Sequence, residues 1–168
     1  MKITNKHNLP LVLIDWIENS NKQRQLQVDQ GDFTVTQLLS NPKEQYLLSR
    51  NPDIEVDASQ FISVLSGEAW HAGIAANSTN RRFNGALVEK RFSIKYHGWK
   101  ITGQPDVIDG DYLMDYKEST VGRFAKGVPQ EYENQLNFYH YILSSNGKHP
   151  KFMGIWVKYK DYMPSRAG

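Results

Sequence analysis

A chain of 168 residues fits one folded domain, and 39% hydrophobic with 12% aromatic residues can build its core. The absence of cysteine excludes disulfides, zinc-thiolate centres and cysteine-bound iron-sulphur clusters. No apolar run approaches the roughly 20 residues of a membrane helix, and Met1-Lys2-Ile3-Thr4-Asn5 lacks the apolar core of a secretory signal. A soluble, reducing, cytoplasmic setting without membrane contact is therefore expected. The formal net charge is only +2, but residues 1–60 carry six basic and eight acidic groups, 61–115 six and six, and 116–168 eight and four.

Residues 1–32 read as a variable N-terminal segment, followed by a single domain over residues 33–168. In chain order the pattern predicts a helix near 36–49, a loop, a helix near 61–76, three antiparallel strands, a helix near 130–145 and a last strand near 152–158. There is no internal repeat or low-complexity tract. The fold class is an α/β sandwich whose central mixed sheet has three antiparallel strands and a further strand, flanked by helices.

The helix over 61–76 places Phe61, Leu65, Ala69 and Ala72 on an apolar stripe, with Glu68 and His71, three apart, on a neighbouring face. Two tight-turn signals follow. His97-Gly98 and Asp109-Gly110 each sit between runs rich in β-branched and aromatic residues, as two-residue hairpin loops do. Taken as loops, they set Arg91 opposite Gln104, Glu89 opposite Asp106, and Asp106 opposite Leu113 and diagonal to Asp115. Because side chains alternate with period two, Glu89, Asp106, Asp115 and Lys117 should emerge on one face. The other face should take Val88, Phe92, Ile94, Tyr96, Trp99, Ile101, Val107, Tyr112, Met114 and Tyr116.

Diagonal neighbours have backbones about 7–8 Å apart, a span two aspartates can close around one cation bound at about 2.0–2.1 Å. Without a cation the arrangement is unfavourable. Two carboxylates about 4 Å apart repel by roughly 4 kcal/mol at an effective dielectric of 20, and Asp and Glu are poor strand formers. A divalent metal and a phosphodiester could share this face with the amine of Lys117.

These residues resemble the PD-(D/E)XK nuclease superfamily and, within it, the RecB-type exonucleases of recombination and phage DNA processing. Gly67-Glu68-Ala69-Trp70-His71-Ala72-Gly73-Ile74 is similar to that family's helix with a metal-binding histidine. Gly103-Gln104-Pro105-Asp106 is similar to its G-x-x-D strand, Asp115-Tyr116-Lys117 to its D-x-K, and Gln135-Leu136-Asn137-Phe138-Tyr139 to its Q-x-x-x-Y helix. The resemblance spans residues 34–160. It implies a restriction-endonuclease-like core and Mg²⁺, replaceable by Mn²⁺, held by His71, Asp106, Asp115 and the backbone carbonyl of Tyr116. Lys117 would stand beside the scissile phosphate, holding the attacking water and offsetting transition-state charge. Glu89 would take part as a ligand of a second metal or by orienting water. Glu68 would orient the imidazole or another site residue from behind, or is a plain helix charge. The iron-sulphur cluster of some relatives is excluded here.

Gln135 and Tyr139, four apart on a helix that Pro129 opens, would order the active site or the nucleic-acid backbone, or else border the core. Arg123 and Lys126 lie in the loop over 119–127, which suits a substrate-gripping role. Arg81-Arg82, Lys90-Arg91, Lys148 and Lys151 could contact phosphates or form a solvated surface. The expectation is a metal-dependent deoxyribonuclease acting from DNA ends in recombination, repair or phage DNA processing. Its partner is DNA, with a second copy or a recombination protein as a possible further partner. The alternative is a non-catalytic DNA-binding module that keeps the fold, which the intact Asp106, Asp115 and Lys117 argue against.

Overall fold

The computed structural model describes residues 2–28, 31–77 and 85–162. The N-terminal segment set apart in the sequence is folded into the rest. Strand β1 (Lys2–Thr4) leads into helix α1 (Leu11–Val28). Ile17 of α1 is buried against Ala58 and Leu65, forming a second small core beside the main one.

The single helix expected over 36–49 is two. After β2 (Phe33–Thr34), α2 (Val35–Leu39) starts on a reciprocal cap, Thr34 accepting from the Gln37 amide and Gln37 from the Thr34 amide. It stops at Ser40. A new helix, α3 (Pro42–Arg50), then opens with Pro42 at its first position and the Asn41 side chain accepting from the Lys43 amide at 3.0 Å. A proline fits a helix start and not a helix interior, which is why the pattern splits here. The expected loop beyond it contains β3 (Glu55–Asp57), paired in parallel with β1, before a 3-10 turn (Ala58–Phe61) and helix α4 (Ile62–Asn77).

Past β4 (Leu87–Val88), β5 (Phe92–Tyr96) and β6 (Trp99–Gly103) form the first expected hairpin, with Ile94 opposite Ile101. His97 and Gly98 both hold positive φ, 47° and 87°, the conformation that matches the twist of such a loop. The second hairpin joins β7 (Val107–Asp109) to β8 (Tyr112–Ser119), and its loop is Gly110-Asp111, not Asp109-Gly110. Gly110 takes the positive φ of 54°, so Asp109 remains in the ladder opposite Tyr112. The register therefore moves by two residues. Side-chain faces are kept, but Val107 now faces Met114, and one step further Asp106 comes directly opposite Asp115 instead of diagonal to it.

After the short helix α5 (Val121–Phe124) and helix α6 (Gln130–Ser145), β9 (Phe152–Tyr159) adds in parallel to β8. One mixed sheet runs β4-β7-β8-β9, another β2-β6-β5. The pairing line from Tyr96 opposite Trp99 continues to Leu87 opposite Ile108 without gain or loss of a residue. The ribbon bends where it crosses between sheets. Pro105 has no N–H for the ladder, and on the facing strand Glu89 adopts a positive φ of 49°.

That bend overturns the two-faced division expected from alternation. Phe92 and Ile101 share one core with Ile108 and Leu113, against Leu136, Tyr139, Ile142 and Leu143 of α6. Gly103 lets α6 lie this close, since a Cβ there would stand 3.0 Å from Ile142 and Tyr139. On the opposite face Trp70 of α4 stacks on Trp156 of β9 at 5.7 Å. Strand β8 is thus covered on both sides, and the acids' face is also a core face. Leu113, fully buried, contributes about 1.5–3 kcal/mol there, two residues before Asp115.

Candidate functional site

Three elements deliver the site. Helix α4 carries His71 one turn beyond Glu68, the bend carries Glu89 and Asp106, and β8 carries Asp115 and Lys117. Nδ1 of His71 lies 3.1 Å from Oδ1 of Asp106 and 3.4 Å from Oε1 of Glu89. Ligand atoms of these three residues fall within 4.8 Å of one another and could hold a metal ion. Glu89 reaches the group because of its left-handed backbone, an uncommon conformation for a residue other than glycine, and backbone strain of this kind gathers at functional sites.

Two further contacts fix the carboxylates. The Tyr116 amide donates to Oδ2 of Asp106 at 2.6 Å. Gln104, two residues before Asp106, donates to Oε2 of Glu89 at 2.7 Å and accepts from Arg91 at 2.7 Å. The chain Arg91, Gln104, Glu89, His71 is therefore continuous, and it crosses the bend that separates the sheets.

The electrostatics show a place that favours a cation. The hydrogen bond to Asp106, then that to Glu89, raises the His71 pKa from 6.5 to about 10 against the opposing effect of burial. Without metal, the imidazolium is the cation between the two carboxylates. Asp115 is buried, and burial pushes its carboxyl up to about 6, with Asp106 adding to the rise and Lys117 opposing it. Nζ of Lys117 lies 2.6 Å from Oδ2 of Asp115.

Helix α6 closes the other side. Gln135 donates to the Tyr139 hydroxyl at 2.8 Å, and burial followed by the Asp115 charge raises the Tyr139 pKa. Tyr139 thus feels the Asp115 charge while serving the core, and Gln135 is bonded to its hydroxyl. Tyr132, one turn earlier, has Nζ of Lys117 at 5.4 Å and the guanidinium of Arg123 at 5.5 Å from its ring centre. Arg123 also pairs with Glu131 at 2.5 Å. Lys126 is exposed in the same connection.

The structure gathers His71, Glu89 and Asp106 in one group, with Asp115 beside it in an ion pair with Lys117. Tyr116 meets the group through its amide, and its ring turns to the opposite face against Trp156, at 6.1 Å. Glu68, which the sequence left as an orienting residue or a plain helix charge, is anchored to α1. Both its oxygens accept from Ser20 of α1, at 2.7 and 2.6 Å, which ties α1 to α4. Lys151 pairs with Asp111 at the far hairpin, and Arg81 and Arg82 lie outside the described residues. Sequence reasoning missed Gln104 and Tyr132 as site residues. Gln104 carried a signal, because its predicted position opposite Arg91 was correct.

No protein-family model matches the chain, and no curated protein matches it. The chain is similar to the crystal structure of SSO0001, with a TM-score of 0.52 and 25% identity over 79% of this chain and 62% of that one. It therefore spans about three fifths of that protein's length. The likeness agrees with a mixed α/β fold.

Proposed function

We propose that this chain is a divalent-metal-dependent deoxyribonuclease of the RecB-like PD-(D/E)XK type, built on a restriction-endonuclease-like core and acting from DNA ends in recombination, repair or phage DNA processing. The observation that carries the reading is the convergence of His71, Glu89 and Asp106 beside buried Asp115 in its ion pair with half-buried Lys117. A nitrogen and two carboxylates within 4.8 Å suit one cation with small side-chain movements. The raised His71 pKa supports this fit, since a proton already occupies the position of positive charge. Mg²⁺, or Mn²⁺ in its place, would supply Lewis acidity to a phosphoryl oxygen and lower the pKa of water.

The protein's own groups do the rest. His71 would hold the ion through a neutral ring nitrogen, which requires its Nδ1 proton to leave. Asp106 stays oriented by the Tyr116 amide and Glu89 by Gln104. Lys117, aimed by Asp115 and the Tyr132 ring, holds the attacking water and offsets charge on the phosphate, with Arg123 on the same ring as a second cation. Digestion of linear and covalently closed circular DNA, each with magnesium, manganese or EDTA, tests the proposal. Linear DNA should be degraded only with metal and circles spared; equal loss of circles would replace end-directed action by endonuclease action, and cleavage in EDTA would remove the metal.

Gln104 supplies a further check. Gln104→Leu should leave Glu89 without its amide donor and weaken metal affinity by about 10- to 100-fold, the usual effect of losing a partner behind a ligand. Manganese titration calorimetry reads this directly, and unchanged affinity would deny Gln104 that part.

A further inference from the structure

A groove of about 820 Å³ runs between α1 and α4 and ends at the site, with His71 and Glu89 in its wall. Its other walls include Trp16, Asn19, Gln23 and Gln104. Among the described residues no lysine or arginine lines it, so Lys117 and Arg123 are not in its walls. Among the described residues the groove therefore has little to hold a phosphate away from the metal position. Besides the carboxylates of Glu68 and Glu89 and the His71 imidazole, it offers three side-chain amides and one indole. Trp16 is 43% exposed although the next residue, Ile17, is fully buried in the second core. Helix α1 is thus held firmly, tied again by Ser20 to Glu68, while its tryptophan stays open to the groove. An aromatic face on a fixed helix, beside a site for phosphodiesters, is suited to stack a base, and such stacking tolerates any sequence. Only a base freed from pairing and from its own neighbours can present its face this way. The volume matches a small-molecule pocket and suits a nucleotide or two of one strand, not a duplex.

We propose that this groove is a single-strand subsite, in which Trp16 stacks on a base of the DNA strand whose phosphate lies at the His71, Glu89 and Asp106 group. The proposal rests on the nuclease reading of that group and adds to it a substrate form, single-stranded DNA at the point of cleavage. Helix α1 lies outside the stretch that carries the family resemblance, so this wall belongs to the chain's own N-terminal segment.

The test uses fluorescence anisotropy of a labelled oligodeoxythymidine in magnesium, in the Asp115→Asn background so that the strand stays intact. Adding Trp16→Ala should weaken binding by about tenfold, the effect of one lost base stack, and Trp16→Phe should restore most of it. An abasic strand of equal length should bind both chains alike. Equal affinity of the Trp16→Ala and parent chains for oligodeoxythymidine, or the same loss with the abasic strand, would overturn the proposal. Hydrolysis of bis(p-nitrophenyl) phosphate in manganese by the otherwise unaltered chain reads the metal group separately. Absence of that hydrolysis would count against the nuclease reading, whereas a Trp16 effect confined to strands with bases would still establish the subsite.

Discussion

Lys117→Ala is expected to lower DNA cleavage in saturating magnesium by about 100- to 1,000-fold or more, the loss that follows removal of one preorganised group from a developing charge. Asp115→Asn should do the same while keeping the shape of the side chain. The two act as a unit, since the carboxylate at 2.6 Å aims the amine, so the double variant should be little worse than either single one. Neither change should unfold the chain. Asp115 already has a pKa raised to about 6 by burial, so after loss of Lys117 it can take up a proton instead of leaving a bare charge in the core. The measurement is a single-turnover rate with circular dichroism on the same samples. Wild-type rates in a well-folded variant would remove Asp115 and Lys117 from the chemistry.

His71→Ala carries the second large effect. It should nearly abolish activity in millimolar magnesium and recover part of it in excess manganese, because a missing ligand weakens metal affinity more than it alters the remaining site. Saturating magnesium, at about 100 times its dissociation constant, stabilises a protein by about 2.7 kcal/mol, so the parent chain should melt several degrees higher with metal and the variant should lose most of that rise. The pH dependence follows with its sign. In the metal-free chain the His71 pKa stands at about 10 against an ordinary 6.5, so the imidazolium contacts stabilise the fold fully below pH 6.5 and lose that contribution as pH rises through 10. Metal must displace this proton, so apparent affinity should climb with pH across that window, further than an unperturbed histidine would allow. Activity should fall as pH drops through about 6, where Asp115 also becomes protonated. A His71→Ala protein with parent activity and unchanged metal response would show that α4 supports the core and does not build the site.

Features governed by neighbours in sequence were legible from local pattern alone. His97-Gly98 fixed a hairpin register because two positive-φ residues between alternating strands admit one loop. That register placed Glu89 toward Asp106 and Arg91 toward Gln104, and the helical spacing of Gln135 and Tyr139 brought them together, as their hydrogen bond confirms. The second turn was misplaced because Asp-Gly and Gly-Asp serve equally well by local chemistry. The choice depended on Lys151 and Phe152, whose amides donate to the Asp111 carbonyl from a segment 40 residues away.

Other features came only from tertiary packing. Alternation assigned Phe92 and Leu113 to opposite faces, but the bend at Gln104-Pro105 and Glu89 brings both under α6. Glu68 met Ser20, 48 residues distant. Lys117 and Arg123 met on Tyr132, and Trp16 came to line one groove with His71 and Glu89. Sequence by itself determined which residues are candidates for the chemistry and which of them share a strand or helix face, because those depend on dihedral preference and periodicity within a few residues. Tertiary structure decided which carboxylates converge, how deeply they are buried and what stands opposite them, because burial, pKa and long-range contact arise only when distant segments exclude water together.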